Sequence, residues 1–576
     1  MKFTGGEAIV EILKRFHVQY MFGLPGDQTH IHDAIYRNSD IRHILVRHEQ
    51  AAAHMADAYA RASGKVGVCD ATVGPGATNL ISGIAEAFTS SIPVLALASE
   101  IRSDWRGRGC LQEIQQLEVF KPITKFAFRV DATSRIPEIM KRAFQIATTG
   151  KPGPIFLSIP LDILKGEADF TEEDFRVHEK FGQFPAVRVL PPEEEIVEAL
   201  DMFMNSRKPI LMCGGGVISS GAWPQVQELA ETLRVPVVTT FMGKGSVPEN
   251  HPLCLGPFGL LGRPETNDRV QDSDFILAVG TRFTNIDTAG WNIPRPGVPI
   301  VQVDIDPEEI GKNYYVKRGL VGDARSVLSV MIGLLENKKD ESKRKFYRES
   351  EIEEVRRKWL AEKGIESSLA KKNSSPVHPL QVIRGLRHYM GPDDIIICDS
   401  GFNQIWGGQY FEVNSPGRTY MGPRGFGVMG FSLPAAIGAK LACPDRKVVA
   451  LCGDGGFAMT LQELETAKRI GTPIIACIMN NKNLEYVKAN QRNLYGSRFI
   501  SVDFTDINFA KVAQAFGCDG FRVEDGIHLD EAFKQAFQSA LPFVVDIRTL
   551  ESAEPDRISV QTLPKSDSGS QDRKED

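Results

Sequence analysis

The chain has no basic block, no long apolar run and no paired cysteines. Its net charge is −6. Without a stretch rich in Lys or Arg there is no sign of nucleic-acid binding. No apolar run reaches the about 18 residues a membrane span needs, so no membrane partner is expected. The opening MKFTGGEAIVEIL lacks the apolar core of a signal peptide, and none is expected. The nine cysteines are scattered, with no CxxC pair. Cys213, Cys452 and Cys477 sit in apolar, strand-like runs and read as buried thiols of a reducing compartment. These absences predict a cytoplasmic protein.

What is present is length and alternation. At 576 residues the chain is too long for one core, so two to four domains are expected. Residues 1–170 alternate helical patterns with the runs YMFGLPG, GVCDATVGPG, PVLALASE and GPIFLSIP. Near-continuous apolar strands separated by helices predict a parallel sheet covered on both faces. Residues 171–190 break the pattern and read as a linker. A second unit over 191–336 carries PILMCGGG, PVVTT, FILAVGT and PIVQVDID. Lys338–Lys372 is highly charged and helix-prone, an exposed connecting segment. A third unit spans 376–550. The tail 564–576 has no apolar residue after Pro564 and is expected to be disordered. The fold class is α/β, with three doubly wound parallel-sheet domains.

The most informative stretch, Val449–Asn481, reads VALCGDGGFAMTLQELETAKRIGTPIIACIMNN. An apolar run ends in Gly-Asp-Gly, an amphipathic helix follows from about Thr460, and a second apolar run ends in Asn-Asn. The spacing predicts strand, helix, strand, with Asp454 and Asn481 at the carboxyl ends of neighbouring strands. That end of a parallel sheet is where such folds bind phosphates. A carboxylate and an amide oxygen suit a hard cation, magnesium or calcium. Two side chains cannot fill an octahedron, so backbone, water and a ligand's phosphate oxygens must complete it. Gly453, Gly455 and Gly456 let backbone amides approach those phosphates, with the helix's positive end behind them. A diphosphate held through magnesium is predicted.

The GDG–NN pair resembles the thiamine diphosphate motif of the thiamine diphosphate-dependent 2-oxoacid enzymes. The resemblance runs from Gly5 to about Ile547 and is closest to the acetolactate synthase-like branch. RHEQAAAHMADAYAR (Arg47–Arg61), GPGATNL (Gly74–Leu80), LQE (Leu111–Glu113), VDIDPEEIGK (Val303–Lys312) and GVMGFSLPAAIGA (Gly427–Ala439) carry it in order.

By position alone Glu49 is a residue at a helix start. The resemblance implies that it bonds N1′ of the cofactor's aminopyrimidine and helps C2 of the thiazolium lose its proton. That role calls for an apolar pocket and a raised pKa. The resemblance further implies that Met429 wedges between the two rings, that Gly427 offers a carbonyl, and that Pro75 and Asn79 line the pyrimidine. Asn483, two after Asn481, completes the magnesium through its carbonyl. Asn403 lies where the family places a polar run before the diphosphate, here Gly401-Phe402-Asn403-Gln404. Gln112 matches a glutamine that faces the substrate, and Lys125 a lysine of the branch. The first and third domains are implied to be a related pair. The active site is implied to lie between subunits of a homodimer or homotetramer.

Four departures bear on the reaction. After Asn481, Glu485, Tyr486 and Asn490 replace the glycine, methionine and tryptophan usual in the synthases. Asp27, with His30 and His32 close behind, stands where synthases have glycine. Two readings of Asp27 stay open, a proton-handling carboxylate and a cap on the next helix. Lys488, Asn490 and Arg492 read either as a patch for an anionic acceptor or as a solvated face. In the middle domain Gly214–Gly216 and Gly280–Phe283 fit a nucleotide face, so FAD or ADP is open there, though an acidic pair found in synthases is lost.

Pyruvate or a similar 2-oxoacid is the expected substrate. Once carbon dioxide has left, attack on a second carbonyl gives a ligated product, as in acetolactate synthase. Protonation gives an aldehyde, as in a decarboxylase or C–C lyase, and oxidation with a flavin gives an acyl group. Ligation is the expected outcome. A non-catalytic paralogue is disfavoured by intact Glu49, Asp454 and Asn481.

Overall fold

Apolar runs buried on both faces become the strands of three six-stranded parallel sheets. The computed structural model describes residues 1–37, 40–337, 345–362 and 374–555. A short antiparallel pair, β1 (Lys2–Thr4) and β8 (Glu167–Asp169), closes the first domain. Its sheet holds β2 (Tyr20–Gly23), β3 (Arg42–Leu45), β4 (Gly67–Ala71), β5 (Val94–Glu100), β6 (Phe126–Arg129) and β7 (Ile155–Pro160). The second sheet holds β9 (Pro209–Cys213), β10 (Val237–Thr239), β11 (Cys254–Pro257), β12 (Phe275–Val279), β13 (Ile300–Asp304) and β14 (Arg318–Val321). The third holds β15 (Ile395–Cys398), β16 (Tyr420–Met421), β17 (Val448–Gly453), β18 (Ile475–Asn480), β19 (Asp519–Val523) and β20 (Phe543–Arg548).

The first and third sheets share one strand order, β3-β2-β4-β5-β7-β6 and β16-β15-β17-β18-β20-β19. The second is different, β11-β10-β9-β12-β13-β14, the doubly wound order of nucleotide-binding sheets. The α/β class and the three doubly wound sheets are therefore as the sequence indicates.

The described residues divide into two compact units, one holding the first and third sheets and the other the second. In the first unit the helix Glu49–Ser63 packs on the helix Ser432–Ala442. The contact is built from small residues, Ala51, Ala52 and Ala56 in one helix and Ala435, Ala436 and Ala439 in the other, all within one buried cluster. Residues 171–188 are not a free linker. Phe175 is fully buried in the first domain's core, because its ring meets Phe3 and Phe170.

In the second unit the backbone of Gly216 donates to the Gly280 carbonyl, so the turns after β9 and β12 pack directly on each other. A buried charge cluster lies nearby in sequence. Glu249 pairs with Lys244 at 2.5 Å and Arg263 at 3.1 Å, and accepts the Val413 N–H at 2.9 Å. Of the segment read as an exposed connector, Tyr347 and Ile352 are buried and Glu349–Glu362 is helical. Residues 338–344 and 363–372 of that segment, and the tail 564–576, lie outside the described residues.

Candidate active site

β17 and β18 are neighbours in register, Gly453 beside Met479, so the residues that follow them share one edge of the sheet. Helix begins at Asp454 itself, with Gly453 as its extended N-cap, and not near Thr460 as the sequence suggested. The glycines after Asp454 let the chain turn helical against Asp399, whose carboxyl carbon lies 3.3 Å from where a Cβ on Gly456 would sit.

Asp454 meets the turn after β18. Its Oδ2 accepts the Lys482 N–H at 2.6 Å and its Oδ1 accepts the Gly455 N–H at 2.8 Å. The turn is tight: Lys482 has φ 64°, and Asn483 Nδ2 donates to the Asn481 carbonyl at 3.0 Å. Asp454 is 5 % exposed. Burial pushes its carboxyl up to about 6, against the pull of the surrounding backbone N–H groups. Asn483 Oδ1 is buried with no hydrogen-bond partner. A desolvated carboxylate beside an unsatisfied amide oxygen is a set of oxygen donors suited to a hard cation.

Asn403 is close by, but its Nδ2 is spent on the carbonyls of Asp399 and Leu451 at 2.7 and 3.3 Å. Donors to an anion there must come from the backbone after β17. Asn481 Nδ2 donates to Glu485 Oε2 at 3.3 Å.

The residues singled out in the first domain gather at the carboxyl end of β4. Gly74, with φ 68°, caps the short helix Pro75–Asn79. Gln112, itself at φ 66°, lies against Gly74, whose hypothetical Cβ would come within 2.5 Å of the Gln112 carbonyl. Asn79 Nδ2 donates to Glu49 Oε2 at 2.9 Å. Glu49 is buried at the first position of its helix. The cap is His48, whose Nδ1 accepts the Gln50 N–H. Asp27 is exposed, and its N–H reaches Thr72 Oγ1 at 3.1 Å. The next helix starts only at Thr29.

Gly427 and Met429 lie on the loop before the helix Ser432–Ala442, Gly427 with φ 77°. Among the described residues, no hydrogen bond joins Glu49 or Asn79 to Asp454 or to residues 481–483.

Three family models match consecutive parts of the chain. They are the thiamine pyrophosphate enzyme N-terminal TPP binding domain over residues 3–119, the central domain over 196–331, and the C-terminal TPP binding domain over 399–547. The chain belongs to the thiamine pyrophosphate enzymes, in their acetolactate synthase-like branch. It is 38 % identical to a probable acetolactate synthase large subunit of Methanococcus aeolicus, over 94 % of this chain and 91 % of that one. It is 35 % identical to the acetolactate synthase large subunit of Haemophilus influenzae, over 96 % and 95 %. It is also 35 % identical to an acetolactate synthase of Mycobacterium bovis, over 94 % and 87 %.

As a thiamine pyrophosphate enzyme the chain has supporting residues that its motifs do not reveal. Asp399, after β15, is fully buried. Its Oδ1 accepts the Gly430 N–H at 3.1 Å and its Oδ2 the Ser432 N–H at 3.0 Å. It thereby fixes the backbone just after Met429. Glu463 accepts the Arg47 N–H at 3.1 Å, two residues before Glu49. Burial raises Glu463 to about 7. A carboxylate ending an apolar run was the only available signal for Asp399, and nothing local marked Glu463.

The charges past Asn481 are paired within the protein. Arg492 bridges Glu485 and Glu554 at 2.9 and 2.8 Å, and Lys488 holds Asp503 at 2.6 Å. Lys125 Nζ donates to the Ile146 and Thr149 carbonyls at 2.5 and 2.9 Å, tying a loop in place.

Proposed function

We propose that the protein decarboxylates a pyruvate-like 2-oxoacid and joins the remaining fragment to a second carbonyl, as an acetolactate synthase does, using thiamine diphosphate and magnesium. The observation that carries this reading is the meeting of buried Asp454 with the turn Asn481–Asn483. Asp454, Asn481 and Asn483 would hold the magnesium. The backbone of Gly453, Gly455 and Gly456 would hold the diphosphate, with Asn403, its amide spent on Asp399 and Leu451, lining that end of the site. Gly427, Met429, Pro75 and Asn79 would bind the rings. When bound, the cofactor supplies a carbon nucleophile and an electron sink for the carboxylate's departure.

Glu49 has the burial and the partner its role needs. With one oxygen fixed by Asn79, the other is left to share a proton with a ring nitrogen. Gln112, which lies against Gly74, would face the substrate from beside the Pro75 turn. Asp27, exposed and tied to Thr72 by its backbone, would pass protons between the site and water.

A subunit interface completes the site in this reading, with Glu49 from one copy facing Asp454 of another. Among the described residues of one chain, no hydrogen bond joins Glu49 or Asn79 to Asp454, which is consistent with it. Exposed apolar side chains on the loops around both support it, Leu111 at 88 %, Ile500 at 74 % and Phe426 at 59 %. Gel filtration of an active monomer would contradict it. In the second unit a flavin or ADP would lie against the turns after β9 and β12. A colourless protein that releases no adenine nucleotide on denaturation excludes both. We place the protein in the cytoplasm, supported by nine unpaired cysteines, most of them buried. Among the described residues no helix is long and apolar enough to cross a membrane.

Incubation with thiamine diphosphate, magnesium and pyruvate tests the reaction. Acetolactate is expected. Acetaldehyde or acetate as the main product, or no turnover, overturns the reading in favour of a decarboxylase, an oxidase or a non-catalytic chain.

A further inference from the structure

Asp70 lies inside the first sheet, on β4, and is fully buried. β4 is separated from β3 by β2. A carboxylate on β4 can reach β3 only by crossing β2, and it crosses at Gly23, the residue paired with Asp70. A Cβ on Gly23 would lie 1.8 Å from Asp70 Oδ1. The missing side chain is what lets Asp70 Oδ1 meet His43 Nε2, on β3, at 2.9 Å. From the helix Thr29–Arg37, His32 Nε2 comes down on Asp70 Oδ2, also at 2.9 Å.

Two imidazole nitrogens and a carboxylate thus converge, with all three donor atoms within 4.8 Å of one another. The two rings lie 4.4 Å apart. Gln28 completes the surround. It is 1 % exposed, its Nε2 donates to Asp70 Oδ2 at 3.0 Å, and its Oε1 has no hydrogen-bond partner.

We infer that His32, His43 and Asp70 form a binding site for a divalent transition-metal ion of the zinc type, separate from the magnesium and diphosphate site. Two nitrogens and one carboxylate are a zinc-type donor set, whereas magnesium and calcium prefer oxygen alone. Donors about 2.0–2.1 Å from a tetrahedral ion lie roughly 3.3 Å apart, so around an ion a 2.9 Å His–Asp contact would open slightly while the wider separations, all within 4.8 Å, would close. Gln28, by turning its amide, offers the unsatisfied Oε1 as a fourth ligand or as a partner for a bound water. The ion would tie β3, β4 and the helix carrying His32 into one unit. It would also fix Gln28, the residue next to Asp27. Nothing in the carboligation chemistry requires it, so the site is structural.

The test uses the full chain, stripped with a chelator and returned to buffer containing excess magnesium. Added zinc is expected to be retained at about one ion per chain after dialysis and to raise the thermal midpoint. Cobalt(II), used as a visible probe, is expected to give the strong absorption of a four-coordinate ion. An all-oxygen, six-coordinate site at Asp454 would give only weak absorption. His32→Gln and His43→Gln should each weaken cobalt binding beyond the about 10–100-fold typical of losing an outer-shell partner. Gln28→Ala should stay within that range. His32 lies on a partly exposed helix, so its variant carries the test if the His43 variant fails to fold. No retained ion and no strong cobalt absorption would overturn the proposal. So would binding that survives in the His32→Gln/His43→Gln double variant, which would place the ion elsewhere.

Discussion

Glu86 and Gly427, 341 residues apart in the chain, are hydrogen-bonded, Glu86 Oε2 accepting the Gly427 N–H at 3.1 Å. The same carboxylate accepts the N–H of Phe426 at 2.9 Å and of Gly425 at 3.2 Å. Three consecutive amides converge on one fully buried anion. Arg61, itself held by Asp57 at 2.5 Å, supplies the countercharge. The first domain therefore sets the backbone of the loop that carries Met429. Glu86→Ala would leave the amides and part of the Arg61 charge unmatched, at a cost of about 3 kcal/mol. Urea denaturation of the variant measures it. A change below about 0.5 kcal/mol would show that the loop is held by something else.

Asp454 must be ionised to bind a cation, and burial pushes its carboxyl up to about 6. Protons and magnesium therefore compete for it near neutrality. Magnesium-dependent binding of thiamine diphosphate is expected to be level above about pH 7 and to fall by up to tenfold per unit below pH 6. Calorimetric titration across that range reads it directly. Asp454→Asn should bind at least about tenfold more weakly and lose the pH dependence.

Glu49→Gln keeps the shape and the bond from Asn79 but cannot share a proton with a ring nitrogen. Exchange of the C2 proton of bound thiamine diphosphate should slow by about 10²-fold or more. Acid-quench proton NMR follows that exchange. A rate equal to that of the unmodified protein removes Glu49 from the activation step.

Glu463 has the opposite pH signature to a salt-bridged carboxylate. Burial raises it from 4.5 to about 7, so the folded state holds this proton more tightly than the unfolded state does. Its contribution to stability is full below about pH 4.5 and is lost as the pH rises through 7. Glu463→Gln should remove that slope, leaving the variant less sensitive than the parent between about pH 5 and pH 8. Denaturant midpoints at the two ends of the range decide it.

Gly23→Ala places a methyl carbon on Asp70 Oδ1. With both sides of the contact built into the sheet, the carboxylate must leave His43, and a loss of about 1–3 kcal/mol is expected. The far-UV spectrum should be kept while the thermal midpoint falls.

Central strands are buried on both faces, so they are written as unbroken apolar runs. β4, β5, β7, β9, β12, β13, β17 and β18 could each be read from the sequence for that reason. β6 (Phe126–Arg129) and β14 (Arg318–Val321) were not, because they are sheet edges whose residues are mostly half-buried or exposed. The helix after β17 starts several residues before its periodicity becomes visible in the sequence, because a Gly-rich turn carries no helical pattern until it packs.

The sequence by itself determined the α/β class, the strand–helix–strand unit and the pairing of Asp454 with the turn after Asn480. Each is a local consequence of periodicity and turn chemistry within about thirty residues. Only the tertiary structure decided which distant groups support them. It put Glu86 beneath Gly427, Asp399 under the loop after Met429, and Glu463 beside the start of the Glu49 helix. It also gave the charges past Asn481 internal partners and brought His32, His43 and Asp70 together across Gly23. These contacts span tens to hundreds of residues. They depend on strand order and on where a side chain is missing, which no local pattern encodes.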